Sequence, residues 1–168
     1  MDIKDQSVIS VCFSDDRKQV LLIKRRDVPV WVLPGGAIEE NESFEEACER
    51  ETFEETGYQV KILKKVAEYT PINKLSKYTH FYECQIISGK AKITDESKDI
   101  KFFNIDNLPK RLPPPYPYWI EDAFLNKKFI IKKKIFSVNY RSLILNLLKH
   151  PILVIRFLLT KIGLTINT

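Results

Sequence analysis

Residues 31–58 read WVLPGGAIEENESFEEACERETFEETGY. The Pro34-Gly35-Gly36 triplet predicts a tight turn. Beyond it the pattern becomes helical. Phe44, Ala47, Cys48 and Phe53 supply apolar packing positions, and Asn41 or Ser43 supplies an N-cap. Glu residues crowd the first turn, where the helix dipole favours anions, and Gly57 supplies the stop. The expected helix covers residues 43–56. On it Glu51, Glu54 and Glu55 stand at i, i+3 and i+4, so their carboxylates share one face. Three like charges stacked this way repel, which is a cost in a plain solvated helix. A hard divalent cation such as Mg²⁺ or Mn²⁺ turns that cost into a site, because it prefers oxygen ligands.

Outward from this stretch the chain alternates strands and turns. Ser7–Phe13 is β-branched and apolar, and Val20–Ile23 is a second apolar run after the polar turn at 14–17, so the two are expected to form a hairpin. Lys24-Arg25-Arg26 follows at the strand end, a basic cluster suited either to solvent or to phosphate contact. After the helix, Tyr58–Tyr69, Thr79–Ile87 and Ile100–Ile105 read as strands, with a polar, acid-bearing loop at 94–99. Residues 108–118 (LPKRLPPPYPY) are too proline-rich for regular structure, and Trp119–Leu125 reads as a short amphipathic helix. His80 reads as a surface or core histidine. The aromatics Tyr116, Tyr118 and Trp119 read as packing or as a base-stacking group.

Charge divides the chain at residue 126. Residues 1–126 carry 18 Lys or Arg against 22 Asp or Glu, whereas 127–168 carry nine against none. The tail is also strongly apolar, with Pro151 separating two expected short helices. Lys149, Arg156 and Lys161 interrupt its apolar runs before any reaches the ~20 residues of a membrane span. Residues 1–126 are therefore expected to form one globular domain and 127–168 a basic, apolar helical extension. That extension is suited to packing, a homodimer contact or peripheral membrane contact rather than nucleic acid. Cys12, Cys48 and Cys84 are widely spaced, odd in number and outside any CxxC pattern. They exclude a disulfide framework or zinc cluster and fit free thiols in the cytoplasm, while a place at the inner membrane surface would come through the tail. The N-terminal residues lack the pattern of a signal peptide.

The spacing Gly36-x5-Glu42-x7-Arg50-Glu51-x-x-Glu54-Glu55-x-Gly57 resembles the Nudix box, with all seven polar and glycine positions present. Thr52 stands where an aliphatic residue is usual, and Tyr58 closes the box where one is common. The resemblance implies an α/β/α sandwich with a mixed β-sheet and hydrolysis of a phosphoanhydride in a nucleotide-type small molecule. It implies Glu51, Glu54, Glu55 and the Gly35 carbonyl as metal ligands, with Arg50 and Glu42 orienting the carboxylates. Gly36 gives close approach, and Glu96, or else Asp95 or Asp99, acts as an outlying acid or general base. Lys24, Arg25 and Arg26 are the expected substrate contacts. The Pro-Gly-Gly turn leans away from the diadenosine-polyphosphate branch. Pro71, 13 residues after Tyr58, is close to where ADP-sugar hydrolases of the family tend to carry a proline. A nucleoside triphosphate and an ADP-sugar are both expected substrate classes. The alternative is a nucleotide-binding or membrane-associated module on the same fold without efficient catalysis.

Overall fold

A computed structural model describes residues 2–161, 163 and 164; Met1, Ile162, residues 165–168 and the side chain of Lys161 lie outside the described set. The strands are β1 (Gln6–Cys12), β2 (Gln19–Arg25), β3 (Trp31–Val32), β4 (Gly35–Gly36), β5 (Tyr58–Pro71), β6 (Tyr78–Gly89), β7 (Ser97–Asn104) and β8 (Ile131–Ile135). The helices are α1 (Phe44–Thr56), α2 (Tyr116–Phe124), α3 (Tyr140–Lys149) and α4 (Pro151–Lys161). A five-stranded mixed sheet runs β4-β1-β6-β5-β8, and a three-stranded sheet runs β3-β2-β7.

The packing follows from strands that are apolar on both faces. Leu21 of β2 joins Val8, Ala47, Cys48 and Tyr82 in a cluster beneath α1. Its neighbours Val20 and Leu22 turn to a second cluster with Phe81, Trp119, Ile120 and Tyr69 beneath α2. Helices thus lie on opposite sides of the strand layers, giving the α/β/α sandwich with helices at its C-terminal end.

Three local expectations change. β1 and β2 touch through a single bridge, Phe13 to Val20, and lie in different sheets. Both edges of β1 are filled by β4 and parallel β6, and those of β2 by β3 and β7, so neither has an edge to give the other. Gly35-Gly36 is a short strand against Ile9 and Val8 rather than a reversal. A side chain at Gly35 (φ 144°) would put its Cβ 2.2 Å from the Val8 carbonyl oxygen, so the glycine serves close approach. The proline-rich segment also ends in helix: α2 begins at Tyr116 with Pro117 in its first turn, where a missing N–H costs nothing.

The tail opens with a strand the sequence reading did not anticipate. β8 pairs in parallel with Ala67–Pro71 of β5, burying Ile131 and Ile135 and turning Lys132, Lys133 and Lys134 outward. Lysines along an edge strand block further pairing. They also anchor it. Lys133 reaches the buried Asp122 carboxylate at 2.5 Å, and Lys132 reaches Glu68 at 3.3 Å, beside Lys65 at 2.7 Å. The Lys65 ammonium, outweighing the small burial penalty, and further bonds from Tyr78 and Lys132 push the Glu68 carboxyl down to about 2. A carboxyl depressed in the folded state stabilises above its unfolded value and loses that contribution as pH falls through the folded one. Glu68→Gln is therefore expected to cost about 1 kcal/mol at pH 7. The gap to wild type should close as pH falls from ~4.5 toward ~2, checked by chemical denaturation across that range.

Candidate active site

α1 is held at both ends by its own sequence. The Ser43 hydroxyl accepts from the Glu46 amide at 3.2 Å, and the Glu46 carboxylate accepts from the Ser43 amide at 2.8 Å, closing a capping box. Gly57 ends the helix at φ 76°. Glu51 and Glu55 then lie against β4, and Glu54 stands beside them, more exposed and bonded to Arg50. Phe53 points the other way and is half exposed, so it adds nothing to the core.

Arg50 organises the cluster. Its Nε and Nη2 donate to the two oxygens of Glu42 at 3.0 and 2.6 Å. Its Nη1 forks to Glu51 at 3.0 Å and Glu54 at 3.1 Å. Nη2 also donates to the Ala37 carbonyl at 3.1 Å, tying the helix to the loop after the glycines. The Arg50 guanidinium holds the Glu42 carboxyl below its usual range.

Glu55 is buried and accepts from the Gly35 amide at 2.7 Å. Burial pushes its carboxyl up to about 8; the Gly35 amide and the Arg25 charge oppose the shift, while Glu51 and Glu96 add to it. Burial likewise raises Glu51, against the pull of Arg50 and with added repulsion from Glu54 and Glu96. Gly36 lies directly on Glu51: a Cβ there would sit 2.4 Å from Glu51 Oε2.

Among the described residues, no three acid, histidine or cysteine side chains converge as a ready-made metal cage. Arg50 draws Glu51 and Glu54, and the Gly35 amide draws Glu55. The donor set nonetheless fits a hard divalent cation. It consists of oxygens only, two of its carboxyls are raised by burial and mutual repulsion, and glycine at 36 lets the Glu51 carboxylate lie directly against the β4 backbone.

Of the three basic residues, the structure brings Arg25 to this cluster. Asp27 holds it through Nε–Oδ1 at 2.8 Å and a second, shorter Nη2–Oδ2 contact, and its charge is felt by Glu55. Arg26 instead donates from its amide to the Glu96 carbonyl at 3.1 Å and from Nε to the Thr94 carbonyl at 3.1 Å, fixing the acidic loop. Lys24 lies over the Trp31 ring at 5.9 Å. Among the loop acids, Glu96 is exposed and couples to Glu51 and Glu55, whereas Asp99 is taken by Lys101 at 2.7 Å.

Of the remaining candidates Tyr118 is exposed, whereas the others pack. Trp119 stacks on Tyr69 at 4.6 Å, and Tyr116 meets Trp119 edge-on. His80 is buried, stacked on Phe44 at 3.9 Å and bonded to Gln6 and Lys65. The three cysteines are buried free thiols.

Two supporting groups escaped the sequence reading. Asp27, which fixes Arg25, carried no signal beyond its acidity two residues away. The other is a polar pair in the core: the Thr52 hydroxyl donates to Ser10 Oγ at 2.8 Å, and Ser10 in turn reaches the Pro34 carbonyl at 3.4 Å. The unusual Thr52 is thus matched by the one hydroxyl in the apolar segment VISVCF of β1 and ties α1 to the turn carrying Gly35. That unexplained serine was the available clue.

A family model described as the NUDIX domain matches residues 4–123. A putative 8-oxo-dGTP diphosphatase of Bacillus subtilis is 36% identical over 109 residues, covering 64% of this chain and 72% of that protein. An ADP-ribose pyrophosphatase of Methanocaldococcus jannaschii is 35% identical over 98 residues, covering 55% of this chain and 58% of that protein. Among solved structures, an ADP-ribose pyrophosphatase from Streptococcus suis superposes with a TM-score of 0.65 at 20% identity, covering 77% of this chain and 97% of that one. With the NUDIX-domain match spanning most of the chain and its box running from Gly36 on β4 through α1 to Gly57, the chain belongs to the Nudix hydrolase family.

Proposed function

We propose that this protein is a cytoplasmic pyrophosphohydrolase that uses Mg²⁺, with Mn²⁺ as a substitute, to hydrolyse a phosphoanhydride in a nucleoside diphosphate derivative. The substrate is of the nucleoside triphosphate or ADP-sugar type. The observation that carries this reading is the Glu51–Glu54–Glu55 face on α1, organised by Arg50 and Glu42 against Gly35-Gly36. The names of the relatives, an 8-oxo-dGTP diphosphatase and an ADP-ribose pyrophosphatase, span the same two substrate classes.

Glu51, Glu54, Glu55 and the Gly35 carbonyl are the groups that would hold the cation, which when bound screens charge on the diphosphate and acidifies water. Arg50 keeps two of these carboxylates from swinging into solvent and is itself fixed by Glu42. Arg25, pre-set by Asp27, stands ready for a phosphate oxygen; Lys24 and Arg26 border the same strand end. Glu96, the exposed carboxylate coupled to the cluster, takes the proton of the attacking water, with Glu54 as the second candidate. Water attacks one phosphorus, the bridging P–O bond breaks, and the second phosphate leaves with its electron pair.

A panel of nucleoside triphosphates and ADP-sugars, assayed with Mg²⁺ and scored by product, tests this. Cleavage within one class fixes the substrate, and no cleavage of either with metal present defeats the enzyme reading in favour of a binding module. A sharper check is Gly36→Ala. The added methyl meets the mobile end of Glu51 rather than backbone, so the fold survives while the carboxylate is displaced. Turnover is expected to fall about 10–100-fold with an unchanged melting temperature.

A further inference from the structure

The last two helices present an apolar surface that the rest of the chain leaves open. On α3, Ile144 and Leu148 stand one turn apart and are 58% and 78% exposed. On α4, Ile152 and Ile155 stand three residues apart and are 71% and 50% exposed. Each spacing places its pair on one side of its helix. The other side of α4 is seated on the body: Val154 is buried, and Arg156 donates to the carbonyls of Asp27 and Arg26 at 2.5 and 3.0 Å. Lys149 closes α3 at the turn between the helices, Arg141 opens it, and both are exposed. No acidic residue occurs anywhere from residue 127 onward.

We propose that the α3–α4 hairpin is a docking element for an anionic phospholipid surface, lying in the headgroup plane with Ile144, Leu148, Ile152 and Ile155 inserted among the acyl chains. Exposed aliphatic side chains interleaved with cations and free of acids are the composition such a surface selects. Among the described residues, no helix is long and apolar enough to cross a membrane, so the contact is peripheral. Charge decides between this occupant and a second copy of the chain. A two-fold pairing of the hairpin would set Arg141 and Lys149 against their own copies with no acid between residues 140 and 161 to answer them, whereas anionic headgroups answer those cations. Nucleic acid would satisfy the cations but leave Leu148 and Ile152 in water. Through Arg156 the hairpin also grips the Arg26–Asp27 backbone just after Arg25 at the end of β2, so docking would hold the hydrolase body with that segment beside the surface.

The test is co-sedimentation of the full chain, without nucleotide, with vesicles of phosphatidylcholine alone or with about one quarter phosphatidylserine. Partition is expected to be at least ~10-fold higher on the anionic vesicles and to weaken with salt. Leu148→Asp with Ile152→Asp is expected to lower partition at least ~10-fold, and Arg141→Glu with Lys149→Glu to abolish the preference for anionic over neutral vesicles. All four side chains are exposed, so the variants should fold and keep their turnover of soluble nucleotide. Absence of binding, or equal binding to both vesicle types, overturns the proposal. So does a vesicle-free dimer that the Leu148/Ile152 variant dissociates, since it would assign the face to a second copy. Because the assay contains no substrate, its failure is separate from any failure of the hydrolase reading.

Discussion

Glu54→Gln is expected to lower kcat about 10³-fold while leaving the fold intact. Glu54 is 57% exposed along its side chain, and its one bonded partner among the described residues is Arg50, four residues away at 3.1 Å. Such a helical pair contributes only ~0.3–0.5 kcal/mol, so the melting temperature should barely move. Arg50 would still hold Glu42 and Glu51. What the amide cannot do is give a hard cation an anionic oxygen or take a proton from water. Glu55→Gln makes the informative contrast. Burial already pushes that carboxyl up to about 8, so near neutral pH the cation-free protein loses little on becoming an amide, and the Gly35 amide keeps an oxygen acceptor. Stability should hold or rise while turnover falls. Steady-state kinetics with Mg²⁺ beside thermal unfolding separate the two variants, and wild-type turnover in Glu54→Gln would remove it from the ligand set.

How much could be read in advance follows from the range of the interactions. The helix, its cap at Ser43, its stop at Gly57 and the Glu51–Glu54–Glu55 face depend on neighbours within a turn or two, and these were legible. So was Arg50 with Glu42, because the resemblance fixed their spacing. Strand partners were not. The pairing of β1 with β6 joins residues some 70 positions apart, and nothing local in SVISVCF announces that its edges go to Gly35-Gly36 and to residues 78–84 rather than to β2. Arg25 could not be singled out from Lys24-Arg25-Arg26, since its position beside the cluster depends on Asp27 bending back to hold it, with its charge acting on Glu55. In β8, three consecutive lysines mask a strand whose apolar ends alone are buried.

That strand carries the other large expected effect, on stability. A chain ending at Asn126 should be at least ~4 kcal/mol less stable than the full chain, whereas one ending at Asn139 should unfold cooperatively near the full-length midpoint. The family match stops at residue 123, yet the sheet continues: Ile131 and Ile135 are 4% and 3% exposed, in the cluster with Tyr69 and Trp119. Burying each contributes about 1.5–3 kcal/mol. Removing Lys133 also leaves Asp122, 4% exposed, with the Tyr69 hydroxyl as its remaining bonded partner among the described residues, and an uncompensated buried charge is costly. Glu68 loses Lys132, and β5 becomes an open edge available for aggregation. Against the 5–15 kcal/mol of an ordinary domain, these losses are enough to unfold a large fraction of the molecules. Ending at Asn139 keeps all of these contacts and the bond from Asn73 Nδ2 to the Val138 carbonyl. It removes the hairpin with buried Val154 and the Arg156 grip on the Arg26–Asp27 backbone, so it should cost far less stability than the loss of β8 while raising KM through a looser Arg25. Denaturant titrations of the three chain lengths, read beside KM, decide it, and equal stability of the chains ending at 126 and 139 would show that β8 contributes nothing to the catalytic body.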